Sequence, residues 1–310
     1  MMIEFKNISF GYKNEKNIFD NFSFLVREQE RWGILGFNGA GKSTLIKMML
    51  GIIKPQVGEI LIENNDIWTC RKKIIKNIGV VWGQKTTLWW DIPVISSYEM
   101  LKKIYKISDA EYASRMQYFD SMFELSAFWK QPLRTLSLGQ RAKTEIVASL
   151  LHDPCILVYD EPFLGLDFIT REKIIDFLND YCTAKKCVLI LTSHNLEDIE
   201  SLCDKILLLN AGIPLFAGKK SELCSNYDTL HQVDFIYEEN DLYISPELSA
   251  MLIDIIHYEH KTRVIFDARS IEYDQVVAEV LRNNKIIGIE TNRNFLEQVI
   301  KQVIERNSSK

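Results

Sequence analysis

Eight consecutive residues near the N-terminus have the spacing of a phosphate-binding loop. They run Gly36-Phe37-Asn38-Gly39-Ala40-Gly41-Lys42-Ser43 and match G-x-x-x-x-G-K-[ST] at every fixed position. Glycines in such a loop let successive backbone N–H groups turn inward around phosphate oxygens, and the helix that follows directs its positive end at the same anion. We therefore expect Lys42 to contact the β- and γ-phosphates of a nucleoside triphosphate, and the Ser43 hydroxyl to bind Mg²⁺.

Two adjacent carboxylates, Asp160 and Glu161, are the acidic groups that hydrolysis of a triphosphate would need. They follow the apolar run 155–159, so both are expected at the carboxyl end of a strand, where α/β sheets hold their ligands. Asp160 would hold Mg²⁺, directly or through water, and Glu161 would polarise the attacking water. Taken alone, Asp-Glu-Pro after a strand is more often an ordinary turn into a helix. The phosphate loop earlier in the chain favours the catalytic interpretation.

The elements that must position these groups alternate between strands and helices. Uninterrupted apolar runs at 155–159 and 187–192 predict strands covered on both faces. Strands separated by helices favour parallel pairing and an α/β fold. Residues 97–151 are predicted to be mostly helical, with Ser108 and Glu111 as a capping box at the start of one helix.

The composition changes near residue 225, where glycine nearly disappears and acidic residues begin to outnumber basic ones. We place a domain boundary there, which gives a first domain of residues 1–224 and a small C-terminal α+β domain of residues 225–310. The second domain is expected to be ferredoxin-like. Its predicted elements are strand 232–237, helix 246–256, strand 262–267, helix 273–283, strand 286–291 and helix 295–306.

Composition also excludes several classes of protein. Of the 310 residues, 47% are hydrophobic and 25% are charged, which is not the balance of a disordered or collagen-like chain. No apolar stretch of about 18 residues is present, so a membrane-spanning helix is not expected. The formal net charge of -5 argues against a nucleic-acid binder that relies on positive charge. Six cysteines without a CxxC pair, and no signal peptide, predict reduced thiols in a cytoplasmic protein.

Three motifs, in the right order, resemble those of the ATP-binding-cassette (ABC) ATPases. The phosphate loop resembles their Walker A motif, Leu136-Ser137-Leu138-Gly139-Gln140-Arg141 their signature motif, and Tyr159-Asp160-Glu161-Pro162 their Walker B motif. The likeness continues through Gly165-Leu166-Asp167, the D-loop, and Thr192-Ser193-His194, which holds the switch histidine. It covers roughly residues 2–220. The signature is its most specific part, because other Walker-type ATPases lack it.

This resemblance implies a P-loop NTPase fold with a mixed sheet and a helical subdomain. It also implies specific roles for individual residues. Glu161, His194 and Gln84 would be catalytic, although a histidine after an apolar strand is, by itself, more often structural. The implied ATP-binding residues are Tyr12, which would stack on adenine, and Gly36, Phe37, Asn38, Gly39, Ala40, Gly41, Lys42, Ser43 and Thr44. The implied Mg²⁺ ligands are Ser43, Gln84 and Asp160.

The signature also has a physical interpretation. Ser137 can cap a helix that starts at Leu138, with Gln140 completing a capping box, and an exposed helix N-terminus binds anions. In the family this helix end, which includes Gly139, faces the γ-phosphate bound by a second cassette. The resemblance therefore implies a head-to-tail homodimer around two ATP molecules, with Asp167 organising the interface. Leu138 is a departure, since the family generally has glycine there.

Trp89 and Trp90 lie in a predicted loop, where bulky rings suit a partner surface, although core packing is the alternative. In cassette transporters this region receives a short helix of the membrane subunit. Residues 80–93 resemble a prokaryotic subgroup of export-type ATPases with separate permease chains. The resemblance thus implies a peripheral ATPase on the inner face of the cell membrane that drives transport, with export favoured, through an integral membrane permease. A soluble ABC ATPase acting on nucleic acid or ribosomes is the alternative; a single phosphate loop and negative charge argue against it.

Overall fold

The chain folds into two compact units, Met1–Lys219 and Lys220–Lys310, whereas the sequence pattern suggested a boundary after residue 224. The structure is a computed structural model that describes residues 1–13, 17–83, 85–225, 230–238 and 242–292, together with residues 300 and 303. The strands of the first unit are β1 (Ile3–Phe10), β2 (Phe19–Val26), β3 (Arg31–Leu35), β4 (Val57–Ile62), β5 (Asn65–Asp66), β6 (Ile78–Trp82), β7 (Ile156–Asp160), β8 (Val188–Thr192), β9 (Lys205–Asn210) and β10 (Ile213–Lys219). Its helices are α1 (Lys42–Met49), α2 (Arg71–Ile74), α3 (Val94–Tyr105), α4 (Asp109–Phe123), α5 (Leu138–Leu150), α6 (Phe168–Lys185) and α7 (Leu196–Leu202).

A six-stranded sheet positions the functional segments of the first unit. Its order is β10-β9-β3-β8-β7-β6, and only the β10–β9 pair is antiparallel among these described strands. The predicted α/β class with a mixed sheet is confirmed. All residues of β8 and the first four of β7 are buried, as their unbroken apolar runs predict. Because β3, β7 and β8 are parallel, the segments that follow them leave the sheet at the same edge.

A second, antiparallel sheet of order β2-β1-β4-β5 packs around the same core as α1. Leu45, Ile46, Met48 and Met49 of α1 are buried in that core. The helix that begins at the phosphate loop is therefore fixed on its apolar side, which leaves its N-terminus to define the position of the loop.

The helical region consists mainly of α3, α4 and α5. Both capping boxes predicted from the sequence are present. The Glu111 amide donates to Ser108 Oγ at 3.3 Å, and the Ser108 amide donates to Glu111 Oε2 at 3.1 Å. Ser137 and Gln140 make the same reciprocal pair at the start of α5, at 3.2 and 3.0 Å. Within the described part of the chain, no helix has the length and apolar character needed to cross a bilayer.

The second unit has the ferredoxin-like element order β-α-β-β-α-β after a first short helix. The elements are α8 (Lys220–Ser225), β11 (Leu230–Ile236), α9 (Pro246–Ser249), β12 (Leu252–Tyr258), β13 (Lys261–Asp267), α10 (Tyr273–Asn283) and β14 (Gly288–Asn292). Its sheet is antiparallel in the order β12-β13-β11-β14.

One predicted element of this unit is wrong. Helix 246–256 is instead the single turn α9 followed by β12, because the run Leu252-Ile253-Asp254-Ile255-Ile256 is rich in β-branched residues and pairs with β13. The predicted helix 295–306 lies outside the described residues, apart from residues 300 and 303.

Candidate active site

A cavity of about 860 Å³ is found at the edge of the parallel sheet where β7 and β8 end. Separate segments of the first unit contribute to it, among them the phosphate loop with α1, the ends of β6 and β7, and the residues after β8. Its lining residues are Tyr12, Ile18, Asn38, Gly39, Ala40, Gly41, Lys42, Ser43, Thr44, Lys47, Ile52, Trp82, Gly83, Lys85, Asp160, Glu161 and His194. Most of the residues singled out in the sequence thus face one space, although Gly36 and Phe37 of the phosphate loop do not line it.

The phosphate loop joins β3 to α1. Gly41 occupies the N-cap position of α1 with φ 104°, and a Cβ there would lie 2.9 Å from Phe19 Cζ, so only glycine fits without strain. Lys42 is buried, and its Nζ donates to the carbonyl oxygens of Gly36 at 2.7 Å and Phe37 at 3.2 Å. Burial lowers the pKa of Lys42, and the nearby Glu161 and Asp160 carboxylates oppose this effect. The loop therefore presents a cation and a helix N-terminus to the same cavity.

Asp160 is held by the neighbouring strand. It is the last residue of β7, and its Oδ1 accepts a hydrogen bond from the Thr192 hydroxyl at 2.6 Å. Asp160 and Thr192 are register partners in the β7–β8 pair. The sheet therefore fixes one carboxylate oxygen and directs the side chain toward the phosphate loop.

Glu161 has a strained backbone. Its φ of 55° is in the left-handed region, which costs a residue other than glycine about 1–3 kcal/mol and is concentrated at functional sites. The Glu161 amide donates to Thr192 at 3.1 Å, which holds this conformation. The strain turns the side chain of Glu161 out of the strand and into the cavity.

The Glu161 carboxylate lies beside His194. The His194 amide donates to Glu161 Oε2 at 3.1 Å, and His194 Nε2 lies 3.4 Å from Oε1. Oε1 is buried and accepts no hydrogen bond from the described residues. Burial raises the pKa of Glu161 above its ordinary value, and this outweighs the opposing effect of the His194 contacts. A buried carboxylate oxygen without a donor is suited to accept a proton from water.

An aromatic ring borders the other side of the phosphate loop. Tyr12 is 38% exposed and packs edge-on against Phe10, with ring centroids 5.2 Å apart. Its hydroxyl lies 3.4 Å from the hydroxyl of Thr44 in α1. Ile18 and Ile52 add apolar surface to the lining. A partly exposed ring in this place can stack on a planar base.

Gln84, a predicted catalytic residue and Mg²⁺ ligand, lies outside the described residues. Its neighbours Gly83 and Lys85 line the cavity. The Gly83 amide donates to the Asp160 carbonyl at 2.7 Å, and a Cβ at Gly83 would lie 2.0 Å from the Glu161 carbonyl oxygen. Glycine is therefore required here by the close approach of two backbones. Sequence reasoning missed this residue, although a glycine directly after an apolar strand was a usable signal.

The signature residues and Asp167 do not line this cavity. Ser137, Leu138, Gly139 and Gln140 form the capped start of α5, and Leu138 is 56% exposed. Asp167 caps α6 by accepting from the Thr170 amide at 2.9 Å, and that hydrogen bond lowers the pKa of Asp167. The structure thus leaves the start of α5 apart from the phosphate loop of the same chain.

Sequence reasoning also missed a buried network behind His194. Asp198, which is 2% exposed, accepts from Arg171 Nε at 2.5 Å and from the Ser193 hydroxyl. Arg171 belongs to α6 and Asp198 to α7. The network therefore joins the segment that carries His194 to the helix that Asp167 caps, and no local spacing in the sequence indicates it.

Comparison with known proteins identifies the family. The ABC transporter family profile matches residues 19–164. The chain is 32% identical to an uncharacterised ABC transporter ATP-binding protein, YhcH of Bacillus subtilis, over 68% of each chain. It is 29% identical to the linearmycin resistance ATP-binding protein LnrL of Bacillus subtilis, over 90% of this chain and 89% of LnrL. It is 32% identical to the Nod factor export ATP-binding protein I of Ralstonia nicotianae, over 68% of this chain and 65% of that protein.

A solved structure gives the same result. The dimeric, post-hydrolysis structure of the ATP-binding cassette MJ0796 with ADP and Pi superposes with a TM-score of 0.61 and 26% identity, over 70% of this chain and 98% of the cassette. The chain belongs to the ABC transporter ATP-binding protein family. It is the ATP-binding subunit of an ABC transporter, and it is an ATPase.

Proposed function

We propose that this chain is the motor subunit of an exporter, in which two copies close head-to-tail around two Mg-ATP and drive a separate integral membrane permease from the inner face of the membrane. One observation carries the proposal. The capped start of α5 at Ser137 is exposed, and none of residues 137–140 is among the described residues that line the cavity. A second copy can bring this helix end to the phosphates, because an exposed helix N-terminus favours anions.

The cavity supports a division of labour among its residues. The amides of the phosphate loop and Lys42 bind the phosphates, and the Tyr12 ring stacks on the adenine. Glu161 accepts a proton from the attacking water, since its Oε1 is buried and accepts no hydrogen bond from the described residues. The backbone amide of His194 donates to Glu161, which positions the His194 side chain to contact the γ-phosphate. Gln84 remains a prediction from the sequence.

The donor set fits Mg²⁺. The Asp160 carboxylate and the Ser43 hydroxyl line the same cavity, and both supply the hard oxygen ligands that this ion prefers. The described residues contain no group of three or more His, Cys, Asp or Glu that could hold a metal ion, which suits an ion that takes most of its ligands from water and phosphate. When bound, Mg²⁺ neutralises charge that develops on the phosphate oxygens.

Exposed apolar side chains support the second copy. Leu164 and Phe168, which flank the D-loop, are 51% and 63% exposed. A Cβ at Gly165 would lie 3.4 Å from Leu138 Cδ1, so the start of α5 and the D-loop form one continuous surface. Apolar groups gathered in this way favour a protein contact. The related cassette MJ0796 was solved as a dimer.

Export rather than import is supported by the names of relatives, since one is a Nod factor export protein and another confers linearmycin resistance. The alternative of an ATPase acting on nucleic acid is not favoured by these relatives or by the net charge of -5.

The permease-binding surface is proposed to include Trp89 and Trp90. The two side chains are 39% and 45% exposed, which argues against the alternative that they are core residues. The guanidinium of Arg141 stacks on Trp90, 4.6 Å from the ring centroid, and so holds the ring in one orientation. Rigid, partly exposed tryptophans are typical of residues that dominate protein interfaces.

Replacing both tryptophans with alanine is expected to reduce permease binding by at least about 10-fold, because truncating two interface tryptophans removes several kcal/mol. The measurement is recovery of the chain with a co-expressed permease, encoded in a neighbouring reading frame, from detergent-solubilised membranes. Tyr243→Ala, which removes a 55% exposed ring from the second unit, is the matched control. Unchanged recovery of the double variant would contradict this part of the proposal.

A further inference from the structure

A buried carboxylate on α5 holds the segment that follows Gln84. Glu145 is 7% exposed, and its Oε2 accepts from the amide of Thr87 at 3.1 Å and from the Thr87 hydroxyl at 2.6 Å. Its Oε1 accepts from the Thr86 hydroxyl. The same Thr86 hydroxyl accepts from the Leu88 amide at 3.0 Å. Three donors on two consecutive residues satisfy one carboxylate, which is the condition under which a buried charge is tolerated.

A second contact lies one turn earlier on the same helix. Arg141 is four residues before Glu145, so the two side chains are on one face of α5. Besides stacking on Trp90, Arg141 donates to the carbonyl oxygen of Arg134 at 3.1 Å. The Arg134 amide in turn donates to the Trp90 carbonyl at 3.2 Å. Residues 85–90 are therefore fastened to α5 at both Thr86–Thr87 and Trp90.

Residues 85–90 and the start of α5 belong to two different ATP sites of the proposed dimer. The segment begins beside Gly83, whose amide is bonded to the Asp160 carbonyl in the cavity of its own chain. Helix α5 begins at the capped Ser137, the end proposed to meet the phosphates of a second copy. Ser137, Arg141 and Glu145 are joined by continuous turns of α5, so a displacement of the helix N-terminus would also displace Arg141 and Glu145.

We infer that Glu145 and Arg141 form a clasp that makes residues 85–90 move together with α5. When the ATP bound by a second copy contacts Ser137 at the start of α5, the movement of this helix then changes the position of the Trp89–Trp90 surface. This inference rests on the proposed function, because it takes the dimer and the permease surface as given. Within it, Glu145 is a positioning residue that acts through Thr86 and Thr87. The clasp gives a physical reason for a carboxylate at a buried position of α5, where an apolar residue would avoid the cost of desolvation.

Hydrogen exchange of the full chain tests the clasp. Glu145→Ala is compared with Ser149→Ala, which removes a buried hydroxyl from the same helix that bonds to Tyr159 instead of to residues 85–90. Both changes are made in a Glu161→Gln background, so that added Mg-ATP is not consumed. Without nucleotide, we expect exchange at Thr87 to accelerate at least about 10-fold in Glu145→Ala and to stay unchanged in Ser149→Ala.

The response to Mg-ATP separates the possible outcomes. In the parent chain, which carries only Glu161→Gln, and in its Ser149→Ala variant, we expect Mg-ATP to slow amide exchange both in residues 36–44 and in residues 85–90. In the Glu145→Ala variant, we expect Mg-ATP to slow exchange only in residues 36–44. An unchanged ATP response of 85–90 in Glu145→Ala would overturn the clasp and leave the proposed function intact. Absence of any ATP effect in 36–44 of the parent would instead refute the proposed function.

If Glu145→Ala does not fold, as judged by its melting temperature, Glu145→Gln carries the test. Glutamine keeps one acceptor oxygen at the same distance from the helix. A partial loss of the ATP response in 85–90 is expected for this variant, and a full response would overturn the clasp.

Discussion

Replacing Glu161 with glutamine is expected to lower ATP turnover by at least ~100-fold, the scale of a lost general base, while ATP still binds. The amide keeps the size of the side chain and can keep the contact between the His194 amide and Oε2. It removes the carboxylate oxygen Oε1 that is buried without a donor among the described residues. The proton of the attacking water then has no acceptor of sufficient basicity.

The measurement is the steady-state release of phosphate together with equilibrium binding of ATP. Glu172→Gln is the control, because Glu172 is exposed on α6 and does not line the cavity. Near-normal turnover in Glu161→Gln would refute the proposed role of Glu161. Loss of ATP binding in the same variant would also count against it, since it would indicate a role in holding the nucleotide.

Replacing Lys42 with alanine is expected to weaken ATP binding about 100-fold, because a charge-assisted hydrogen bond between an ammonium and phosphate oxygens in a partly desolvated site is worth about 2–3 kcal/mol. The buried Nζ already has two carbonyl acceptors in the loop, and the variant loses those contacts too. ATP affinity is measured by titration calorimetry. Lys173→Ala, an exposed position of α6, is expected to bind normally. Unaltered affinity in Lys42→Ala would exclude the phosphate loop as the nucleotide site.

Local sequence patterns were sufficient to predict the features that are formed by residues close together in the sequence. The phosphate loop is one such part, and the capping boxes at Ser108 and Ser137 are another, because a cap depends on residues three positions apart. The unbroken apolar runs of β7 and β8 predicted buried strands for the same reason. Parallel pairing then brings Asp160 and His194 to one edge.

Features that depend on distant segments were not predictable. The left-handed backbone of Glu161 is held by Thr192, 31 positions later, and the donors to Glu145 come from a loop 58 positions earlier. The predicted helix 246–256 is wrong partly for a related reason: the β-branched residues of 252–256 already favour a strand, and pairing with the distant β13 then fixes it. Tertiary contacts decide such cases.

The central claim is that two copies complete each ATP site, and a mixing experiment tests it most directly. Chains carrying Lys42→Ala lack a working phosphate loop, and chains carrying Ser137→Arg lack the helix end proposed to meet a second copy's phosphates. Each variant alone is expected to be nearly inactive. Mixed in equal amounts, they form some dimers with one site built from two unaltered halves, and random pairing predicts recovery to about a quarter of the wild-type rate of ATP hydrolysis. Full activity of Ser137→Arg alone, or no recovery on mixing, would contradict the claim.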